Sequence, residues 1–143
     1  KSRGSIKLSS SNPYDYPKIL FNYLEHEDDL KQTRESIIVA RKILAQNSMV
    51  KYAGKEIGPG SDVQSDEDLD EYIKSNAETA YHPCGTLKMG VDKMAVVDES
   101  LKIYGLQNIR VVDASVMPEI PSGNLNAPTL MIAEKASDAI LSS

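Results

Sequence analysis

The chain has 143 residues, 16 Lys+Arg against 21 Asp+Glu, and a formal net charge of −5. That balance offers no dense cationic footprint for nucleic-acid phosphates, and no apolar run approaches the roughly 18–20 residues of a membrane-spanning helix. The single cysteine, Cys84, excludes an internal disulfide and a thiolate-rich metal centre. At the N-terminus, Lys1-Ser2-Arg3-Gly4 is basic but leads into no apolar core, so it reads as the cut end of something longer rather than as a secretion signal. The alternating Gly4-Ser5-Ile6-Lys7-Leu8-Ser9 predicts a strand with Ile6 and Leu8 on one face. Ser9 to Pro17, crowded with Ser, Asn, Asp and Pro, predicts a loop, and Phe21-Asn22-Tyr23-Leu24 a short strand.

A long helix fits Glu27 to Gln46, with acidic Glu27, Asp28 and Asp29 first and Arg41 and Lys42 late, as the helix dipole favours. Leu30, Ile37 and Leu44 recur every seven residues with Ile38 and Ala45 beside them, an apolar stripe. Gly54 to Gly60 is a loop. Ser65 then caps a short helix whose Leu69, Tyr72 and Ile73 share a face. From Ala80 to Gly90 the helical period disappears. Val96-Val97-Asp98, Lys102-Ile103-Tyr104 and Ile109 to Asp113 predict strands separated by turns at Gly105 and Asn108. Asn126 is the predicted cap of a last helix, with Pro128 in its first turn, and the apolar body from Leu130 to Leu141 predicts burial.

Three segments carry residues suited to chemistry. In Tyr81-His82-Pro83-Cys84-Gly85-Thr86, the proline pushes His82 to an extended backbone, and an imidazole on such a segment can exchange protons near neutral pH. The competing reading is a core histidine bonded to a carbonyl. His82 and Cys84 as a nucleophile pair is a further reading, with Cys84 as a small apolar residue against it. His26, among Glu25, Glu27 and Asp28, is a solvated surface residue. In Val111-Val112-Asp113-Ala114-Ser115, Asp113 either accepts bonds from a hydroxylated ligand or ends a strand as a turn aspartate. In Ser122 to Thr129, Asn124 and Asn126 precede a helix start. There the N–H groups of Ala127, Thr129 and Leu130 favour a ligand carrying negative charge, unless Asn126 merely caps. No Gly-x-Gly-x-x-Gly segment and no phosphate loop is present. The acidic residues Asp62 and Asp66 to Asp68 lack calcium-loop spacing, so no metal site is expected.

The order is Tyr81-His82-Pro83-Cys84-Gly85-Thr86-x-Lys88-Met89-Gly90, Ala95-Val96-Val97-Asp98, Leu101-x-Ile103-Tyr104-Gly105-Leu106, Ile109-Arg110-Val111-Val112-Asp113-Ala114-Ser115-Val116-Met117-Pro118, then Gly123-Asn124-x-Asn126-Ala127-Pro128-Thr129-x-Met131-Ile132-Ala133-Glu134-Lys135. It resembles the C-terminal region of the glucose–methanol–choline (GMC) oxidoreductases, choline-type members most. The match is dense over residues 81–140 and looser before Asp70.

The resemblance implies an α+β fold, a mixed or antiparallel sheet covered by helices. Residues 1–78 would be part of a substrate-binding domain, and residues 79–143 would complete an FAD-binding domain whose Gly-rich dinucleotide-binding unit is absent here. It implies oxidation of a primary alcohol to an aldehyde by hydride transfer to flavin N5. His82 would accept the alcohol proton and Asn124 would hydrogen-bond the substrate oxygen. Asp113 and Ala114 would touch the FAD ribityl–pyrophosphate region, and Asn126, Ala127 and Thr129 would face the flavin pyrimidine ring. The implied partners are an alcohol substrate and the remainder of the parent oxidoreductase, with no nucleic acid and no transmembrane segment. The isolated chain would bind FAD weakly or not at all and be inactive. It would expose an apolar surface on the last helix or the Val111 strand and dimerise through it. The expected location is cytoplasmic, with membrane association open for the parent. The alternative is a standalone, non-catalytic binding domain keeping these motifs.

Overall fold

The computed structural model describes residues 1–142. The fold is of the expected α+β class, with three helices and one two-stranded antiparallel sheet. The chain divides into two compact units, Lys1–Glu78 and Thr79 onward. No helix among the described residues is long and apolar enough to cross a membrane.

The first unit opens on strand β1 (Ser5–Lys7), paired antiparallel with β2 (Lys18–Leu20) so that Ile6 faces Ile19 and Lys7 faces Lys18. The loop between them is knitted by its own polar side chains: Ser10 Oγ and Asn12 Nδ2 both donate to the Asp15 carboxylate. Gly4 is required beside the hairpin, because a Cβ there would lie 2.3 Å from the Leu20 carbonyl oxygen. The strand expected at Phe21–Leu24 is not formed. Asn22 and Leu24 sit at φ 57° and 60°, left-handed values no strand admits, and the turn they make stacks Phe21 on Tyr23 with centroids 5.3 Å apart.

Helix α1 (Glu27–Leu44) ends two residues short of the expected Gln46. Its cap is His26, whose Nδ1 accepts the Asp28 N–H at 3.1 Å. The reading of His26 as only a solvated surface residue missed this. The predicted apolar stripe is half-buried at Leu30, Ile37 and Ile38 and exposed at Leu44 and Ala45; no residue of α1 is fully buried. Helix α2 (Asp66–Asn76) begins as predicted, Ser65 Oγ accepting the Asp68 N–H at 3.1 Å. Its Leu69 and Ile73 are buried, and it packs against α1. Two arginines of α1 staple this unit. Arg34 reaches Asp66 at 2.7 Å and lies 3.4 Å from Asp70 Oδ1, near enough for charge attraction but not aligned for a hydrogen bond. Arg41 donates to Glu56 Oε1 and to the carbonyls of Gly60 and Val63, fixing the loop before α2.

The second unit contains one long helix, α3 (Asn126–Leu141), and a single 3-10 turn at Ala114–Val116. The three strands expected between Val96 and Asp113 are not continuous. They survive as single backbone pairs, Val97 with Met89 and Ile103, and Lys102 with Arg110. Gly105 and Asn108, at φ 78° and 62°, turn the chain as expected but too often for a ladder to extend. The core is one cluster of Val97, Leu101, Val116, Met117, Leu125, Ile132 and Ala136. Helix α3 was expected to be buried; it is buried only along Ile132 and Ala136, leaving Leu130, Met131 and Leu141 exposed.

Candidate active site

His82 lies on irregular backbone between two restraints. On one side the Tyr81 N–H donates to Thr79 Oγ1 at 3.0 Å, with Tyr81 at φ 59°. On the other, Pro83 fixes its own φ near −65° and Cys84 packs against the core cluster. The imidazole is half-buried and makes no hydrogen bond with another described residue. A core histidine satisfied by a carbonyl is therefore not what is observed. The ring is left available to a group from outside the chain. Cys84 packs against the core cluster, as the plainer reading expects of part of its surface.

Gly85 adopts φ 82°, and a Cβ there would meet the Met117 carbonyl oxygen at 3.0 Å, so glycine is what lets this segment turn onto its neighbour. Its N–H donates to the Ala114 carbonyl at 3.3 Å, and the Leu87 and Met89 N–H groups donate to the carbonyls of Ser115 and Val116 at 2.9 and 2.8 Å. These bonds join the His82 segment to the Asp113 segment. Asp113 is exposed, and its Oδ1 accepts both the Ser115 N–H, at 2.7 Å, and the Ser115 hydroxyl. The turn-aspartate geometry is thus realised, through Oδ1 alone. Ser115 was not singled out from the sequence, although Asp-x-Ser is the pattern of a side chain bonding backbone two residues on.

The third segment joins through Leu125, which is buried in the same cluster as Val116 and Met117. Asn124, Asn126 and Ala127 are exposed and Thr129 is half-buried. Two expectations fail here. Asn126 is not the cap but the first helical residue; the cap position belongs to Leu125, which is already helical in backbone and whose side chain has no oxygen to offer. The Thr129 N–H is not free, since it donates to the Leu125 carbonyl at 3.0 Å, as does its hydroxyl at 2.7 Å. Leu130 lies a residue further into the helical ladder, so its N–H is no candidate either. The donors no side chain caps are the amides of Asn126 and Ala127. No bond joins His82 to Asn124 among the described residues; what the fold brings together is the backbones that carry them, around one core.

Two surface hollows lie in the first unit: about 340 Å³ lined by Lys55, Glu56, Ile57, Gly60, Ser61 and Asp62, and about 490 Å³ on the flank of α1. Neither is lined by His82, Asp113 or Asn124, so the sequence motifs rather than concavity direct attention to the His82 region.

The C-terminal family model of the GMC oxidoreductases matches residues 1–133. Oxygen-dependent choline dehydrogenase of Klebsiella pneumoniae (strain 342) is 54% identical over 139 residues, 97% of this chain and 25% of that protein. Among solved structures, pyridoxine 4-oxidase from Mesorbium loti superposes with a TM-score of 0.91 at 34% identity, covering 99% of this chain and 28% of that one. An FAD-dependent oxidoreductase from Chaetomium thermophilum gives 0.88 at 29% identity, over 96% and 24%. The chain spans about a quarter of the length of the curated relatives it matches. With motifs, fold and family model in agreement, the chain belongs to the GMC oxidoreductase family.

Proposed function

We propose that this chain is the C-terminal part of an FAD-dependent alcohol oxidoreductase of the choline-dehydrogenase kind, oxidising a primary alcohol to an aldehyde. Residues 1–78 belong to its substrate-binding domain, and residues 79–143 complete its flavin domain. The observation that carries the reading is the gathering of the His82, Asp113 and Asn124 segments around one core, in a chain 54% identical to a choline dehydrogenase.

The residues present suit a flavin in one respect that can be checked on the fold. The first turn of α3 offers the Asn126 and Ala127 amides without a side-chain cap, a donor set for an electron-rich carbonyl edge. In this reading Asp113, Ala114, Asn126, Ala127 and Thr129 hold the cofactor, and the chain alone holds it weakly or not at all. The chemistry a bound flavin supplies is acceptance of the hydride from the alcohol carbon, which no side chain here offers. His82 takes the hydroxyl proton onto an imidazole nitrogen, a role open to a ring with no hydrogen bond to another described residue. The Asn124 side-chain amide donates to the substrate oxygen and orients it. The positive end of α3 favours negative charge placed against it by about 0.3–1 kcal/mol.

In the full-length parent with choline as substrate, His82→Ala is expected to lower kcat by about 10²–10⁴-fold while flavin absorbance stays at one per chain. Turnover within tenfold of the parent would refute the assignment.

A further inference from the structure

We propose that Ser115 is a positioning residue for His82, acting through Asp113; this rests on the reading of His82 as the proton acceptor. Ser115 donates twice to Asp113 Oδ1, once from its backbone N–H and once from its hydroxyl. That carboxylate sits on the residue before the Ala114–Val116 turn and caps it. A single 3-10 turn has poor hydrogen-bond geometry and little stability of its own, so the side-chain bonds decide whether it keeps its shape.

The turn is also a template. Its three consecutive carbonyls, Ala114, Ser115 and Val116, accept the N–H groups of Gly85, Leu87 and Met89 in order. Among the described residues, each backbone hydrogen bond donated from Gly85 to Met89 ends on this turn. Between Gly85 and His82 stand only Cys84, packed on the core, and Pro83, whose ring removes the backbone's softest torsion. The residue before a proline is restricted in turn. Displacement of the turn therefore passes to His82 through a chain with few free rotations. The Ser115 hydroxyl is engaged by Asp113, so it contributes by holding rather than by touching substrate.

Three variants of the full-length parent, assayed with choline, test this. Ser115→Ala keeps the backbone bond and removes the hydroxyl; kcat is expected to fall about tenfold, the scale of a sub-ångström misplacement, with KM and bound flavin unchanged. Ser115→Thr keeps a hydroxyl and is expected to recover most of the rate. In the 143-residue chain itself, amide exchange at Gly85, Leu87 and Met89 is expected to quicken about fivefold in Ser115→Ala and not in Ser115→Thr. Parental kcat in Ser115→Ala beside an inactive His82→Ala overturns the proposal. So does a loss of rate that merely tracks lost flavin or folded protein, or unaltered exchange at the three amides. An active His82→Ala instead overturns the underlying reading, and this inference with it.

Discussion

The two units invert the usual association of regular structure with a core. The first has two helices and the only regular sheet among the described residues, yet just Leu69 and Ile73 are buried in it, and Leu8, Tyr14, Tyr16, Ile43 and Ile57 lie open. The second is mostly irregular backbone around one helix, yet it owns a seven-residue buried cluster. Helices form from caps and local periodicity, as Ser65 and the acidic first turns show. Cores form from apolar groups brought together over distance, whatever backbone carries them. The first unit accordingly leans on polar staples such as Arg34 and Arg41, and ion pairs of that type near the surface contribute about 0.2–1 kcal/mol each. A site built in the second unit inherits the stiffness of a packed interior; one built in the first does not.

Charge placed in the second unit's core should break it outright. Val116 is fully buried and its carbonyl also holds Met89. Val116→Asp is expected to cost more than about 4 kcal/mol, seen as loss of methyl dispersion for residues 79–142. A weaker probe sharpens the contrast. Leu69, at 1% exposure, is half of the first unit's buried core, and Leu69→Ala is expected to cost about 2–5 kcal/mol. Because so little else is buried there, amide exchange throughout α1 and α2 should quicken together. Exchange that quickens only around Leu69 would show that the staples, not the leucine, hold the pair.

The difference between the units also explains what could be read from the sequence. Helices α1 and α2 were legible because their caps and periods are local. The hairpin was half legible: β1 alternates, but β2 lies before Phe21 rather than after it, and although asparagine tolerates the left-handed region, nothing local marks Leu24 as left-handed. The strands between Val96 and Asp113 have strand composition but only single pairs, since their amides are spent on turns and crossing segments rather than on one neighbour. At the candidate site His82, Asp113 and Asn124 each had an ordinary alternative, and only the order of their motifs united them. The three bonds from residues 85–89 to the Ala114–Val116 turn depend on a glycine conformation and a register that no periodicity reports. The cap of α3 was misread because asparagine is a strong capping type, whereas the chain is already helical one residue earlier.

The smallest effect concerns charge on the rim of the second unit. Lys88 Nζ lies 2.8 Å from Asp92 Oδ2, and the Met94 N–H donates to Oδ1 at 2.8 Å. The lysine first, then that amide, hold the Asp92 carboxyl below its ordinary 3.8. A carboxyl lowered on folding contributes stability above the ordinary carboxylate range, and loses it as pH falls through the lowered value. Lys88→Met should therefore move the Asp92 midpoint upward, though not fully to 3.8, because the Met94 bond remains. Parent and variant should differ in stability near neutral pH and converge only once pH has fallen below the lowered Asp92 midpoint. A carbon-13 titration of the Asp92 carboxyl reads the shift directly, and added salt should shrink it, since the pair is exposed. In the first unit Asp28 is lowered in the same sense, chiefly by the Lys1 side chain.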